Sequence, residues 1–175
     1  AEAFAASLSA GGLGIVSGLA LGIDAAAHRG GLGGPGRTVA VIGTGADRIY
    51  PARNGDLARR IAAEGAIISE FPLGIGPLAH NFPRRNRLIA GLARGVLVVE
   101  AHEKSGSLIT ADCALDQGKE VFAVPGRIDV LSSRGTNRLI RNGAMLVEGP
   151  EDILSALEPV LAGYLKEARR EGGNS

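Results

Sequence analysis

The sequence is poor in aromatic residues and nearly free of cysteine. Only 3% of its 175 residues are aromatic, tryptophan is absent, and Cys113 is the single cysteine. One cysteine cannot close an intramolecular disulfide, and no other metal-ligating residues accompany it. We therefore predict no disulfide framework and no bound metal, and we expect Cys113 to be a small buried residue.

Long apolar runs and a strong net charge are also missing. No apolar run reaches the roughly 18 residues of a membrane span, and no signal peptide is visible. The formal net charge is only +1, so any anion binding must depend on a local cluster of charge. We expect a cytoplasmic protein that is neither a membrane protein nor a polycation.

Glycine, with 27 residues, and short apolar segments are what the sequence has in quantity. The apolar segments alternate with helical patterns, as expected for parallel strands buried on both faces. We therefore predict an α/β fold with a mostly parallel sheet. The predicted strands are 13–18, 38–43, 66–72, 96–101, 121–126 and 144–149.

The two ends of the chain have the composition of a piece of a longer protein. The first residues start inside an amphipathic helical pattern without a preceding strand, and the last ten are polar. We assign residues 1–158 to a core whose first strand is missing. Residues 159–175 are assigned to a C-terminal helix, tail or linker, with a helix break expected near Pro159.

Three loops that follow strands combine glycine with hydroxyl or charged side chains. They are SGLALGID after Val16, GTGADRIYP after Ile42 and HEKSGSLIT after Ala101. Ligands of parallel sheets bind beyond the carboxyl ends of the strands, and helix N-termini there offer free N–H groups. Together the loops could bind phosphate groups, whereas each loop alone is more often a plain turn.

Standard enzyme fingerprints are absent from these loops. Arg48 occupies the position of the third glycine in G-x-G-x-x-G, and neither a P-loop nor a G-x-S-x-G elbow occurs. The three histidines lack HExxH-type spacing. We expect them to be surface or supporting residues rather than metal ligands: His28, His80 and His102.

Positive charge is concentrated in NFPRRNRLIAGL, residues 81–92. On a helix that starts near Pro83, Arg85 shares one face with Leu88, Ile89 and Leu92, and this face should point toward the sheet. A half-buried guanidinium requires an anionic partner, either a protein carboxylate or a ligand phosphate.

The neighbours of Arg85 suggest a nucleic-acid site. Arg84 and Arg87 lie on other helix faces and are expected to be exposed, with Phe82 beside them. Single-strand binders combine such cations with an aromatic ring on which a base stacks. The alternative is a structural ion pair and a core phenylalanine.

Six segments in this order resemble the DNA-processing protein A family (DprA, also called Smf), over roughly residues 13–154. The resemblance implies an extended Rossmann-like three-layer sandwich that binds single-stranded DNA and forms a homodimer. It further implies a RecA partner, protection of incoming DNA and RecA loading in natural transformation and recombination, with no catalysis and no cofactor. The segments are SGLALGIDAAAH, VAVIGTGADRIYP with Asn54, SEFPLG, NFPRRNRLIAGL, VVEAHEKSGSLITADCALDQGKEVFAVPG and GTNRLIRNGA.

The resemblance also implies a nucleic-acid site composed of three segments. The chain departs from the family at Leu21, where many members carry arginine, and lacks the family's first strand with its Gly-Ser-Arg turn and the winged-helix domain of some members. The implied site residues are Ser17, Gly18, Gly22, Asp24, Phe82, Arg84, Arg85, Asn86, Arg87, Lys104, Ser105, Gly106, Ser107 and Thr110.

Two other functions remain open. The fold also resembles the cytokinin-activating phosphoribohydrolases, which hydrolyse nucleotides and carry P-G-G-x-G-T-x-x-E, a pattern absent from VPGRID here. In that function Glu70 and Glu100 would be candidate acids; otherwise they are structural partners of Arg85 or Arg87. The third possibility is a protein-interaction platform, with self-association through the closing segment or the last two strands.

Overall fold

The computed structural model of the protein describes residues 1–172, with side chains through residue 163. Six short strands alternate with seven helices, so all six predicted strands are confirmed. The strands are β1 (Ile15–Ser17), β2 (Thr38–Val41), β3 (Ala66–Ile68), β4 (Gly95–Val98), β5 (Glu120–Ala123) and β6 (Met145–Leu146). The helices are α1 (Glu2–Ala10), α2 (Ile23–Leu32), α3 (Gly55–Glu64), α4 (Asn81–Leu92), α5 (Gly106–Asp116), α6 (Arg134–Arg141) and α7 (Pro150–Gly172).

All strand pairs are parallel, which confirms the predicted α/β fold class. The strands form two three-stranded sheets, in the orders β1-β2-β3 and β4-β5-β6. Val16 pairs with Val39 in the first sheet, and Leu97 pairs with Phe122 in the second. In both sheets the carboxyl ends of neighbouring strands therefore lie at one edge, where the loops that follow them meet.

Three apolar clusters hold these sheets and helices together. The first sheet packs on Ile61 of α3, and the second packs on Ala111 of α5. A third cluster contains Phe122 and Leu157, with Ile15 and Leu97 packed against it, so it includes residues from both sheets and from α7.

Two sequence-based expectations about single residues are wrong. α7 continues through Pro159 rather than breaking there, although proline removes one backbone hydrogen bond from a helix interior. Cys113 is only partly buried, on the side of the cluster that contains Ala111. None of the described helices has both the length and the apolarity needed to span a membrane.

Candidate nucleic-acid interface

Arg85 of α4 contacts the carboxyl ends of β1 and β2. Its side chain is 6% exposed, and its Nη1 donates to the carbonyl oxygens of Gly18 at 2.8 Å and of Val41 at 2.5 Å. Its Nε donates to Oδ1 of Asn86 at 3.0 Å. One guanidinium thereby connects α4 with the carboxyl ends of β1 and β2.

These partners correct the prediction for Arg85. The side chain is buried rather than half-buried. Its hydrogen-bond acceptors are neutral oxygens, and it forms no ion pair with a carboxylate of the described residues. Burial lowers the pKa of Arg85, and the charge of Asp24 acts in the opposite direction. Backbone carbonyls carry enough partial negative charge to replace the expected anion.

The predicted face of α4 holds only in part. Leu88 and Ile89 are half-buried on the same face as the buried Arg85, as predicted, whereas Leu92 is 52% exposed at the end of the helix. Gly18 allows the close approach of this side chain, because a Cβ atom there would lie 2.7 Å from Cζ of Arg85 and would displace the guanidinium.

The β1–α2 loop, residues 18–22, is held by the side chains of Asp24 and Asn54 in addition to Arg85. Oδ2 of Asp24 accepts hydrogen bonds from the backbone N–H groups of Gly18 and Ala20, both at 3.1 Å. Nδ2 of Asn54 donates to the carbonyl oxygen of Leu19 at 2.8 Å. Leu19 is buried with φ at +62°, a conformation that costs a non-glycine residue energy. The backbone N–H groups of Gly18 and Ala20 are thus already bonded within the protein.

His28 of α2 also bonds to the β1–α2 loop. Its Nδ1 lies 2.7 Å from Oγ1 of Thr38, which itself donates to the carbonyl of Ile15. Nδ1 therefore carries the proton, and Nε2 accepts the N–H of Leu19 at 3.3 Å. Burial lowers the pKa of His28 to about 4, partly offset by Asp24. His28 is a buried supporting residue, while His80 and His102 are exposed.

Arg84 and Arg87 are exposed, as predicted, and share one carboxylate. Arg87 forms a close ion pair with Oε2 of Glu70, and Nε of Arg84 lies 3.8 Å from Oε1 of the same residue. The guanidinium of Arg84 also lies over the ring of Phe71 at 5.7 Å. Glu70 is therefore a structural partner of Arg87, one of the interpretations that the sequence left open.

Phe82 is neither a free stacking surface nor a core residue. It is half-buried, with its ring centroid 5.6 Å from the Tyr50 ring and 5.6 Å from Cζ of Arg85. A Cβ atom on Gly43 would lie 2.8 Å from the Phe82 ring. Much of the Phe82 surface is thus occupied by protein.

The third segment, at the start of α5, is joined to the others through α4. Nδ2 of Asn86 donates to the carbonyl oxygen of Gly106 at 3.3 Å. Oγ of Ser105 and Oγ of Ser107 lie 2.8 Å apart. Lys104 is exposed beside them.

The three predicted segments therefore meet at one edge. Thr110 is half-buried on α5, Gly22 is exposed with φ at +83° where α2 begins, and Ser17 ends β1. We call residues 17–24, 82–87 and 104–110 the strand-end site. Thr38 and Asn54 were not predicted as supports, because a buried hydroxyl or amide has no spacing signature. No group of metal-ligating side chains suited to an ion occurs among the described residues.

We expect Arg85→Met to destabilise the protein by about 2–4 kcal/mol, because the carbonyl groups of Gly18 and Val41 lose a charged donor in the interior. Urea unfolding followed by circular dichroism measures this change. Arg84→Met is the matched control and should shift the free energy of unfolding by less than about 0.5 kcal/mol, since Arg84 is exposed. Equal stability of the two variants would contradict the structural role of Arg85.

Acid should destabilise the protein through His28. With a folded pKa of about 4 and a usual value of 6.5, His28 is neutral in the folded protein and protonated in the unfolded chain between these values. Its contribution is therefore complete above pH 6.5 and falls by about 3 kcal/mol as the pH drops to 4. Urea unfolding at several pH values, compared with His28→Gln, measures it. The same pH slope in both proteins would show that His28 is not responsible.

Known proteins resemble this chain over most of its length. The family model of the DNA recombination-mediator protein A matches residues 1–158. The chain is 53% identical to Protein Smf of Escherichia coli (strain K12), over 89% of this chain and 42% of that protein. It is 50% identical to the DNA processing protein DprA of Streptococcus pneumoniae, over 82% of this chain and 51% of that protein. The chain thus spans about half the length of these relatives, or less.

Two solved structures share the fold. The X-ray structure of DprA from Streptococcus pneumoniae superposes with a TM-score of 0.81 and 48% identity, over 88% of this chain and 54% of that one. DNA processing protein A from Helicobacter pylori, a structure described for its unique single-stranded DNA binding mode, gives a TM-score of 0.82 at 33% identity, over 90% of this chain and 72% of that one.

Proposed function

Since this chain belongs to the DNA recombination-mediator protein A family, we propose that it is a DNA-processing protein that binds single-stranded DNA at the strand-end site. The observation that carries this proposal is that Arg85 and Asn86 of α4 bond to the β1–α2 loop and to the start of α5, so that the three segments of the strand-end site meet, with exposed cations beside them. Phosphate contacts of this kind carry no base information, so binding is independent of sequence.

Within this site the cations have different roles. Arg85 is buried and bonded to backbone carbonyls, so it positions the β1–α2 loop rather than reaching a phosphate. Arg84, Arg87 and Lys104 are exposed and are the candidates for phosphate contacts. The hydroxyl groups of Ser105 and Ser107, at the start of α5, add hydrogen-bond donors.

The binding role is non-catalytic in this proposal. A nucleotide-hydrolysing function needs a free carboxylic acid near the strand ends. Glu70 is 19% exposed and paired with Arg84 and Arg87, an arrangement typical of a structural carboxylate. Glu100, the other candidate acid, is exposed two residues after β4 and lies outside the strand-end site. No contact of the described residues favours the enzyme over the binding protein.

Family membership supports our proposals for partners and location. We propose RecA as a protein partner, a homodimer, and a cytoplasmic role in protecting incoming DNA and loading RecA during natural transformation and recombination. The edge strand β6 is a candidate dimer surface, because Met145 and Leu146 are 41% and 44% exposed there.

Replacing the exposed arginines should weaken DNA binding and reduce its salt dependence. Fluorescence anisotropy of a labelled mixed-sequence single strand, titrated at several salt concentrations, should give a log–log slope at least as steep as about −2, the value expected for the three exposed cations. In the double variant Arg84→Gln/Arg87→Gln the slope should become less negative by about 1.4. Arg60→Gln, which removes a cation paired with Glu64, serves as the control and should leave the slope unchanged. A parent slope near zero would refute DNA binding through phosphates.

Removing the charge of Glu70 should have the opposite effect. Because its carboxylate competes with phosphates for Arg84 and Arg87, Glu70→Gln should bind the same oligonucleotide about two- to fivefold more tightly, with a steeper salt slope. The matched control is Glu64→Gln, whose carboxylate pairs with Arg37 and Arg60. Weaker binding by Glu70→Gln would mean that the carboxylate orients the arginines for DNA instead.

A further inference from the structure

The β2–α3 loop, residues 42–51, carries an exposed aromatic residue that the strand-end site does not include. The chain has only four phenylalanines and two tyrosines, and Phe122, for example, is fully buried. Tyr50 is 47% exposed. Tyr50 is thus an aromatic side chain with surface available to a ligand.

Tyr50 is the outer member of a short row of planar groups. Its ring centroid lies 5.6 Å from that of Phe82, with the planes tilted by 40°, and Phe82 lies 5.6 Å from the guanidinium of Arg85. Gly43 closes another side of Phe82. Of the two rings, Tyr50 therefore has the greater free surface for a further planar group.

The Tyr50 loop is anchored on both sides. Oγ1 of Thr44 donates to the carbonyl oxygen of Arg48 at 2.9 Å. After the loop, Nδ2 of Asn54 donates to the carbonyl oxygens of Leu19 and Ala20, at 2.8 and 3.2 Å. The ring is thus held next to the strand-end site before any ligand arrives, so little ordering entropy opposes stacking.

A cation accompanies this ring. Arg53 is exposed in the 3₁₀ turn Ala52–Asn54, directly after Tyr50 and Pro51. Arg53 forms no ion pair with the side chains of residues 1–163, whereas Arg84 and Arg87 both form ion pairs with Glu70. An aromatic face with a nearby cation is the combination that binds a base and its phosphate in single-stranded nucleic acid.

We propose that Tyr50 and Arg53 form a subsite for one nucleotide of the single strand, in which the base stacks on the Tyr50 ring and a phosphate contacts Arg53. This inference rests on the proposed function and extends the binding surface beyond the three segments of the strand-end site. The ligand is an unpaired nucleotide, because bases stacked in a duplex do not present their faces.

The test compares two labelled oligonucleotides of equal length, one of mixed sequence and one with abasic sugar–phosphate units. Tyr50→Leu should lower affinity for the mixed-sequence strand by about tenfold and leave affinity for the abasic strand unchanged, since stacking needs a base. Tyr50→Phe keeps the ring and should bind both strands like the parent. Leucine retains bulk against Phe82, and circular dichroism verifies that each variant is folded.

Arg53→Gln tests the second half of the subsite. It should weaken binding of both strands and make the log–log salt slope less negative by about 0.7, the contribution of one phosphate on a single strand. Arg60→Gln, whose cation pairs with Glu64, is again the matched control and should leave both affinities unchanged.

The outcomes separate this inference from the proposed function. Binding of neither strand by the folded parent protein would overturn both. Binding by the parent, with Tyr50→Leu unaffected on the mixed-sequence strand or equally weakened on both strands, would overturn the subsite alone. Loss in Tyr50→Phe as large as in Tyr50→Leu would assign the effect to the hydroxyl group and refute stacking.

Discussion

The hydrogen bonds of the Arg85 guanidinium determine the shape of the strand-end site. A cation in the interior is tolerated only if its donors are satisfied, and here the carbonyl groups of Gly18 and Val41 satisfy them at the point where two strands end. The buried guanidinium is thereby satisfied by backbone carbonyls, and the same two hydrogen bonds hold α4 against the first sheet.

This arrangement divides the positive charge of one helix into two kinds. Arg85 contributes to folding and is not available to a ligand, whereas Arg84 and Arg87 face solvent. Because both exposed arginines share Glu70, the local field is weaker than the count of arginines suggests. With a formal net charge of only +1, the protein as a whole adds little long-range attraction for anions to this local field.

The sequence was sufficient to predict the six strands, because short, continuously apolar segments that alternate with helical patterns are typical of buried parallel strands. It also predicted the exposure of Arg84 and Arg87, which follows from helical periodicity. It did not predict the partners of Arg85, since backbone carbonyls are present at every residue and leave no signature. The exposed Leu92 follows from the end of α4, and helix ends are the least predictable part of a periodic pattern.

The β1–α2 loop explains how so small a site can be ordered without its ligand. Leu19 adopts a costly positive φ, and Asp24, His28 and Asn54 each bond to the loop backbone around it. These hydrogen bonds form during folding and offset the strain at Leu19, so the loop is ordered before a ligand binds. Because Asp24 bonds to the N–H groups of Gly18 and Ala20, these groups are not free to bind an anion, and the exposed positive charge of the edge lies on the side chains of Arg84, Arg87 and Lys104. The backbone thus determines the shape of this edge, whereas side chains determine its charge.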